Sequence, residues 1–571
     1  MDKKSIIAIV AVSVLIIFYW PILQFFGLVD APKPPAPTSG ADTTAVVQQH
    51  PDSTPVAPQV TAQTQPLAVD TTALIDTAVV VADTITVVTN KYTVLLSSKG
   101  GGPVSIKLKE YNYRNEHAIE LLPESQSATP VARFAGSTVT TGNLGFTCNL
   151  SPGTHDATSG DLRVIYSHQS PKGGTITQSY VFHPDKYDFD YVISIDGREK
   201  MGFERQYNVY WPTPLGVTEP SAELDYATFE AVTLISNARE RLDDFKDNKL
   251  DQTLSGQAAW AALRSQYFAV AIIPSRTDTA DGVFARGTRG NVEEHGAKFE
   301  KRELTVGLDM PMPLSSSVTD SFTIYAGPLD YTTMSDYDVD LEAILDIGTT
   351  PFIGWIIKPF ALGIIWLLPR MHMVFPNYGI VIILFAILIK LITLPLSLKS
   401  YKSMNAVKVV QPKVDELKKK YKNNPQQLNV ETMKLYKAHG VNPLSGCLPM
   451  LPQMPLFFAL FAVFRSTILL RDAPFFWFIN DLSRGASSFT DPYMILVVLM
   501  IGSQFLSSYV TMSANPQNKM LVYLMPLLMG FIFYKFAAGL VLYWTAFSML
   551  SIADYYLFRR MKNPDVQIVG S

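Results

Sequence analysis

Lys390 stands inside an apolar run long enough to cross a bilayer, residues 377–400, NYGIVIILFAILIKLITLPLSLKS. A membrane-crossing helix needs roughly 20 apolar residues. An ionisable side chain inside such a helix is costly and marks a functional site unless its stem reaches water. Lys390 lies about seven residues before the polar end near Ser397, roughly 10 Å deep at ~1.5 Å per residue, so snorkelling competes as an explanation. Its neighbours favour a site. Ala386, Lys390, Thr393 and Ser397 follow one another at steps of four, three and four, and share one small, polar helix face. The other faces carry Ile382, Leu384, Phe385, Leu388, Ile389 and Leu391. Such a face fits a wet interior or a groove better than lipid, and the chemistry it offers is that of a sheltered positive charge.

Other apolar segments repeat the habit. Gln504, Ser508 and Thr511 share a face, with Ser503 and Ser507 beside it; Trp544, Ser548 and Ser551 share another. Gln453 lies among Pro449, Pro452 and Pro455. Serine and threonine often serve helix packing in membranes, so each face alone says little. Together with Lys390 they suggest a partly hydrated cavity between spans. Asp554, near the cytoplasmic end of its span, is the single intramembrane carboxylate, and no relay, repeat or paired broken helices suggest an ion-coupled carrier. No G-x-x-x-x-G-K-[ST] loop occurs, so nucleotide hydrolysis is not expected. His117, His155, His168, His183 and His295 lack metal-ligand spacing. Glu204, Glu219, Glu223 and Asp225 are conceivable as a glycosidase pair, but solvated loop charges are the simpler reading. No cofactor or metal is expected.

The elements that must position these residues follow from composition. The 571 residues are 48% hydrophobic and 17% charged, with mean hydropathy +0.15. That balance predicts a mixed protein, a soluble domain plus spans, and the patterns along the chain make it a polytopic α-helical membrane protein carrying a large all-β domain. Residues 1–30 begin with Lys3 and Lys4 and continue as a long apolar run, which predicts an uncleaved signal-anchor span with a cytoplasmic N-terminus. Residues 31–83, rich in Pro, Ala, Thr and Val, predict a low-complexity tether. Residues 84–340 hold alternating β-rich runs such as DLRVIYSH, GTITQSYVFH and YDFDYVISI, separated by turn residues, and predict an antiparallel β-sandwich. Its aromatic stretch YNVYWPTPLG fits a packed sandwich edge more simply than a ligand groove. Cys148 and Cys447 fall on opposite sides of the expected membrane and should not pair.

Residues 341–376 include PFIGWIIKPFALGIIWLL. If this spanned, the lysine-rich segment after it would face outward, so an interfacial helix at the outer surface is expected. Residues 377–560 then form the core. Residues 398–445 carry ten lysines against Asp415, Glu416 and Glu431, which predicts a cytoplasmic hairpin, with helices at 407–421 and 429–439 and a turn at Asn423-Asn424-Pro425. Further spans are expected at 448–464, 492–510, 520–534 and 539–557, for six in total. A short cytoplasmic tail, 561–571, ends the chain.

QPKVDELKKKY, MKLYKAHGVNPLSGCLPMLPQMPLFFALF, LRDAPFFWFINDLS and GLVLYW, in that order, closely resemble the YidC/Oxa/Alb family of membrane protein insertases. The resemblance covers about residues 340–560. The front half is similar to the longer Gram-negative type, with its periplasmic supersandwich, in architecture and in fragments such as IYAGPLDY. The resemblance implies a non-enzymatic insertase and chaperone of the bacterial inner membrane, acting alone or beside the Sec translocon. It implies five core spans around a hydrophilic groove, both termini in the cytoplasm and the large domain in the periplasm. Its positive groove residue falls at Lys390, where most relatives carry arginine; its groove glutamine falls at Gln453 and its groove aromatic at Trp544. A polar groove position one turn before the charge is Ala386 here. With the faces read above, the expected substrate groove comprises Lys390, Gln453, Trp544, Ala386, Thr393, Gln504, Ser508 and Ser548. The implied partners are nascent membrane proteins, the Sec translocon, the lipid bilayer, and a ribosome or signal recognition particle pathway docking at 398–445. No direct nucleic-acid readout is expected. Two readings from other classes stay open beside this one: a membrane-anchored enzyme or glycan binder acting through the sandwich, and a solute transporter using the Lys390 cavity.

Overall fold

The computed structural model describes residues 82–559, apart from 114–116, 126, 136, 138, 277–279, 295–296, 348–353, 441–449 and 513–518. The expected signal anchor (1–30), nearly all of the tether (31–83) and the tail (561–571) lie outside the described residues. So does Cys447; Cys148 is a free thiol.

Alternating apolar residues become strands. In Thr175–Phe182 every second side chain, from Ile176 to Phe182, is buried. This strand pairs antiparallel with Leu162–Gln169 and with Asp188–Asp196. Asp188–Asp196 pairs with Ser317–Pro328, and that strand with Phe268–Pro274. Among the described residues these belong to a nine-stranded sheet, and two five-stranded sheets accompany it. The pairings are antiparallel except where Thr84–Val88 runs parallel to Gly153–Asp156. One buried cluster, including Trp211, Trp260, Tyr180 and Tyr191, serves all three sheets. Burying one side chain such as Phe182 contributes about 1.5–3 kcal/mol. The YNVYWPTPLG stretch supplies all but the first residue of the strand Gln206–Trp211, one strand in from a sheet edge, with Tyr207, Val209 and Trp211 buried. The two longest strands, Gly282–Glu294 and Ala297–Pro311, form a hairpin whose charged outer half hides the period-two signal.

The helices follow, and all but the third gather into a second apolar cluster. They are α1 (Gly354–Val374), α2 (Tyr378–Lys420), α3 (Pro425–Ala438) and α4 (Met450–Ser466). After a loop come α5 (Met494–Met512), α6 (Lys519–Phe533) and α7 (Ala538–Arg559). Among the described residues α1, α2 and Ala538–Phe558 are long and apolar enough to cross a membrane; Met494–Val510 and Tyr523–Phe533 are shorter apolar helices.

The expectation of a separate hairpin helix at 407–421 is corrected. α2 is one helix of 43 residues, carrying both the apolar run and the first arm of the hairpin. No glycine follows Gly379 of its first turn, and the stretch after Ser400 is rich in lysine, with Met404, Ala406, Gln411, Glu416 and Leu417 also good helix formers. Asn377 caps its start, accepting from the Ile380 N–H at 3.1 Å. Asn424 caps α3 in the same way, with Pro425 in the first turn. Val410, Val414 and Tyr436 bury a small core between α2 and α3.

The loop 471–491 holds the bundle to the β-domain. The Asn377 amide donates to the Pro474 and Phe475 carbonyls at 3.3 and 3.4 Å. The Ala538 N–H donates to the Arg484 carbonyl and the Gly539 N–H to that of Leu482. α2 and α7 therefore both start at this loop and run parallel. A Cβ on Gly379 would overlap the Phe475 ring, so only glycine admits this approach. The second half of α1 lies against the β-domain: Ile365 and Pro369 line one crevice with Leu329, Tyr331 and Ile347, while His372 stacks on Tyr378 of α2 at 3.9 Å.

Arg471 is the centre of this junction. Its Nε donates to Glu219 at 2.8 Å and one Nη to Asp472 at 2.7 Å. The other Nη donates to the Asn112 and Thr218 carbonyls at 3.0 and 3.2 Å. Ile468 is buried in the β-domain's own cluster. The reading of four solvated loop carboxylates is corrected for two of them. Glu204 and Glu223 are exposed, but Asp225 is wholly buried and Glu219 nearly so. Asp225 accepts from the Thr218 and Glu219 N–H groups at 2.7 and 3.3 Å, which shapes the turn that presents Glu219 to Arg471. Burial raises both carboxyls above their usual range. Arg471→Ala strands four acceptors at once, of which the Glu219 carboxylate and the Thr218 carbonyl are buried. It is expected to cost at least about 3 kcal/mol, read as earlier thermal unfolding in detergent and faster proteolysis at the junction.

Candidate functional site

The site is built on α7, with α2 on one side and α5 on the other. Trp544, Ser548, Ser551 and Asp554 follow at steps of four, three and three. At ~1.5 Å per residue they lie about 9, 15, 20 and 24 Å from the start of α7. These steps move the polar groups gradually around the helix, so the first two meet α5 and the last two meet α2.

On the α5 side, the Gln504 amide oxygen accepts from Trp544 Nε1 at 3.1 Å and from Ser548 Oγ at 2.8 Å. The Trp544 ring stands edge-on to Phe457 of α4 at 5.4 Å and tilts against Phe533 of α6 at 5.9 Å. Four helices therefore meet at one indole, and its N–H is satisfied inside the bundle.

On the α2 side, Lys390 Nζ donates to Ser551 Oγ at 2.8 Å and pairs with Asp554 Oδ2 at 3.0 Å. The Phe547 ring lies 4.6 Å from the ammonium, within cation–π range. Lys390 is only 8% exposed. A lone ammonium there would cost several kcal/mol, and the carboxylate, hydroxyl and ring together offset that cost. Lys390 lies twelve residues past Tyr378 and Ser551 thirteen past Ala538, so the parallel run of α2 and α7 brings them level.

Of the residues expected at the site, Lys390, Trp544, Gln504 and Ser548 belong to these two clusters. Ala386 is fully buried in the apolar cluster beside Phe385 and Ile382. Thr393 Oγ1 turns back to its own helix, donating to the Ile389 and Lys390 carbonyls at 2.9 and 3.2 Å. Ser508 is half-buried one turn beyond Gln504, and Gln453 is half-buried on α4. The Thr511 side chain lies outside the described ones. Asp554, Ser551 and Phe547 join the site without having been assigned to it. Their signal was present, since 547, 551 and 554 fall at i, i+4 and i+7 on one face. Among the described residues no three His, Cys, Asp or Glu side chains gather to hold a metal.

Gln504→Leu removes the acceptor shared by Trp544 and Ser548. The expected loss is about 1–3 kcal/mol of stability in detergent, with a changed tryptophan emission.

Residues 84–362 match the family described as the YidC periplasmic domain, and residues 370–565 match the 60Kd inner membrane protein family. The chain is 33% identical over 577 residues to the membrane protein insertase YidC of Chlorobaculum tepidum, an alignment covering 97% of this chain and 94% of that one. It is 33% identical to that of Chlorobium luteolum, covering 97% and 95%. A solved structure described as an active YidC insertase with the first transmembrane domain resolved is 18% identical, covers 82% of this chain and 90% of its own, and gives a TM-score of 0.35. The β-sheets of the first half are thus a periplasmic domain and the apolar helices an inner-membrane domain, and the chain belongs to the YidC family.

Proposed function

We propose that this chain inserts nascent proteins into the inner membrane and chaperones their folding there, alone or together with the Sec translocon. The observation that carries the reading is the polar ladder of α7, shared with α2 and α5 inside an otherwise apolar helix cluster. Moving a polar segment through ~30 Å of hydrocarbon is expensive. A groove along Trp544, Ser548, Gln504, Ser551 and Lys390 offers polar partners over about a third of that path. Ser508, Gln453 and Thr393 extend its lining, and Ala386 narrows it beside Lys390. The lysine attracts acidic groups of the incoming segment. Its hydrophobic stretch then leaves sideways into lipid, which supplies the driving force. The catalysis is of partitioning, without bond chemistry.

The rest of the chain is arranged for this. α1 lies on the periplasmic surface, a reading supported by the crevice its Ile365 and Pro369 share with Leu329 and Tyr331 of the β-domain. The hairpin of α2 and α3, with its lysines, docks the ribosome or a targeting factor of the signal recognition particle pathway. Both termini are cytoplasmic, and five spans, α2 and α4–α7, form the core.

The test is complementation of cells depleted of the native insertase. Lys390→Ala is expected to lower insertion of small, acidic-tailed membrane proteins roughly tenfold, equivalent to about 1.4 kcal/mol. Photo-crosslinkers at positions 453 and 544 are expected to capture the nascent segment. Unchanged insertion with Lys390→Ala sinks the charge mechanism, and absent crosslinks sink the groove.

A further inference from the structure

Lys390 already has a carboxylate partner in its own chain, and the geometry points to Asp554 as the residue that decides which segments the Lys390 site accepts. This rests on the reading of the α7 ladder as a substrate path. The ion pair at 3.0 Å leaves the site with no net charge, so an arriving anion meets a dipole rather than a free cation. A neutral polar segment gains nothing from it. A segment bearing a carboxylate exchanges with Asp554, one acid for another.

Three features fit an exchange. First, the ammonium keeps partners when Asp554 leaves, because Ser551 Oγ at 2.8 Å and the Phe547 ring at 4.6 Å do not depend on it. Lysine has three donors, so these contacts coexist with a new carboxylate. Second, the Asp554 side chain is the more exposed member of the pair, 16% against 10%, and lies one turn further along α7 than Ser551. It is the partner that turns to water while Lys390 stays. Third, one-for-one exchange never leaves a bare charge in the bundle, which would cost several kcal/mol. The same symmetry lets Asp554 displace the segment's acid afterwards, so the site releases what it binds. An unpaired lysine would hold acidic segments too long to turn over.

The experiment uses the full chain in lipid vesicles with single-span substrates whose N-terminal tails carry aspartates or, in a matched set, asparagines. Asp554→Asn keeps an oxygen for Lys390 but removes the charge. It is expected to raise photo-crosslinking of the aspartate tail from position 544 roughly two- to tenfold, and to leave the asparagine tail unchanged. Asp554→Glu is expected to restore the original ratio of the two tails. Joint replacement, Lys390→Gln with Asp554→Asn, is expected to abolish the distinction between tails. Equal loss for both tails in Asp554→Asn, or no change in either, overturns the proposal and leaves Asp554 a packing residue. Capture of neither tail by the otherwise unsubstituted chain overturns the groove reading, and the exchange with it.

Discussion

A positive charge held between apolar helices must find its partners inside the protein, and the packing of α2 against α7 answers that demand. Lipid offers no hydrogen bonds, so each polar group in the bundle needs an internal match. Hydroxyls such as Thr393 and Thr545 bond back to their own helices, but the larger polar groups are matched across helices: Lys390 with Ser551 and Asp554, Gln504 with Trp544 and Ser548. α7 is the common member of both sets. The surrounding apolar cluster, with Ile382, Phe385, Leu460 and Tyr543 buried, keeps the helices close enough for bonds near 3 Å to persist.

The depth at which those groups sit is fixed from the periplasmic end. The loop 471–491 holds the first turn of α2 through Asn377 and the first residues of α7 through the Leu482 and Arg484 carbonyls. Arg471 anchors the same loop to backbone carbonyls of the β-domain. One loop therefore sets the register of two parallel helices and ties it to a rigid sandwich. The β-domain does not reach the Lys390 site, yet it stands in mechanical continuity with it.

Much of this was legible in the chain. Lys390 announced itself because charge is rare in a run such as ILFAILIKLIT, and the β-rich runs announced themselves by alternation. Trp544 and Ser548 were legible as a face, but Gln504 as their partner was not, because periodicity gives a face and never the helix it meets. In the sequence Asp554 reads as a lone carboxylate near a helix end. Only the parallel run of α2 and α7, imposed by a loop neither helix contains, brings it to Lys390. Glu219 and Asp225 misled for the opposite reason. Charged residues in a loop normally face water, and their burial depends on Arg471 from a segment 252 residues away from Glu219. The Gly282–Glu294 hairpin was hidden because strands wet on both faces lose their alternation.

The unbroken course of α2 has a mechanical meaning. At ~1.5 Å per residue its 43 residues make a rod of about 64 Å, with Lys390 about 18 Å from the end pinned by Asn377. The lysine-rich hairpin is the long arm of that lever and the charge sits on the short one. Pro395, just past Lys390, withdraws the N–H that would close on the Leu391 carbonyl, and Pro412 does the same to Lys408 in the hairpin arm, so the rod has two compliant points. A load taken up at the hairpin passes Pro412 first and is carried to within a turn and a half of the ammonium before it meets the second joint.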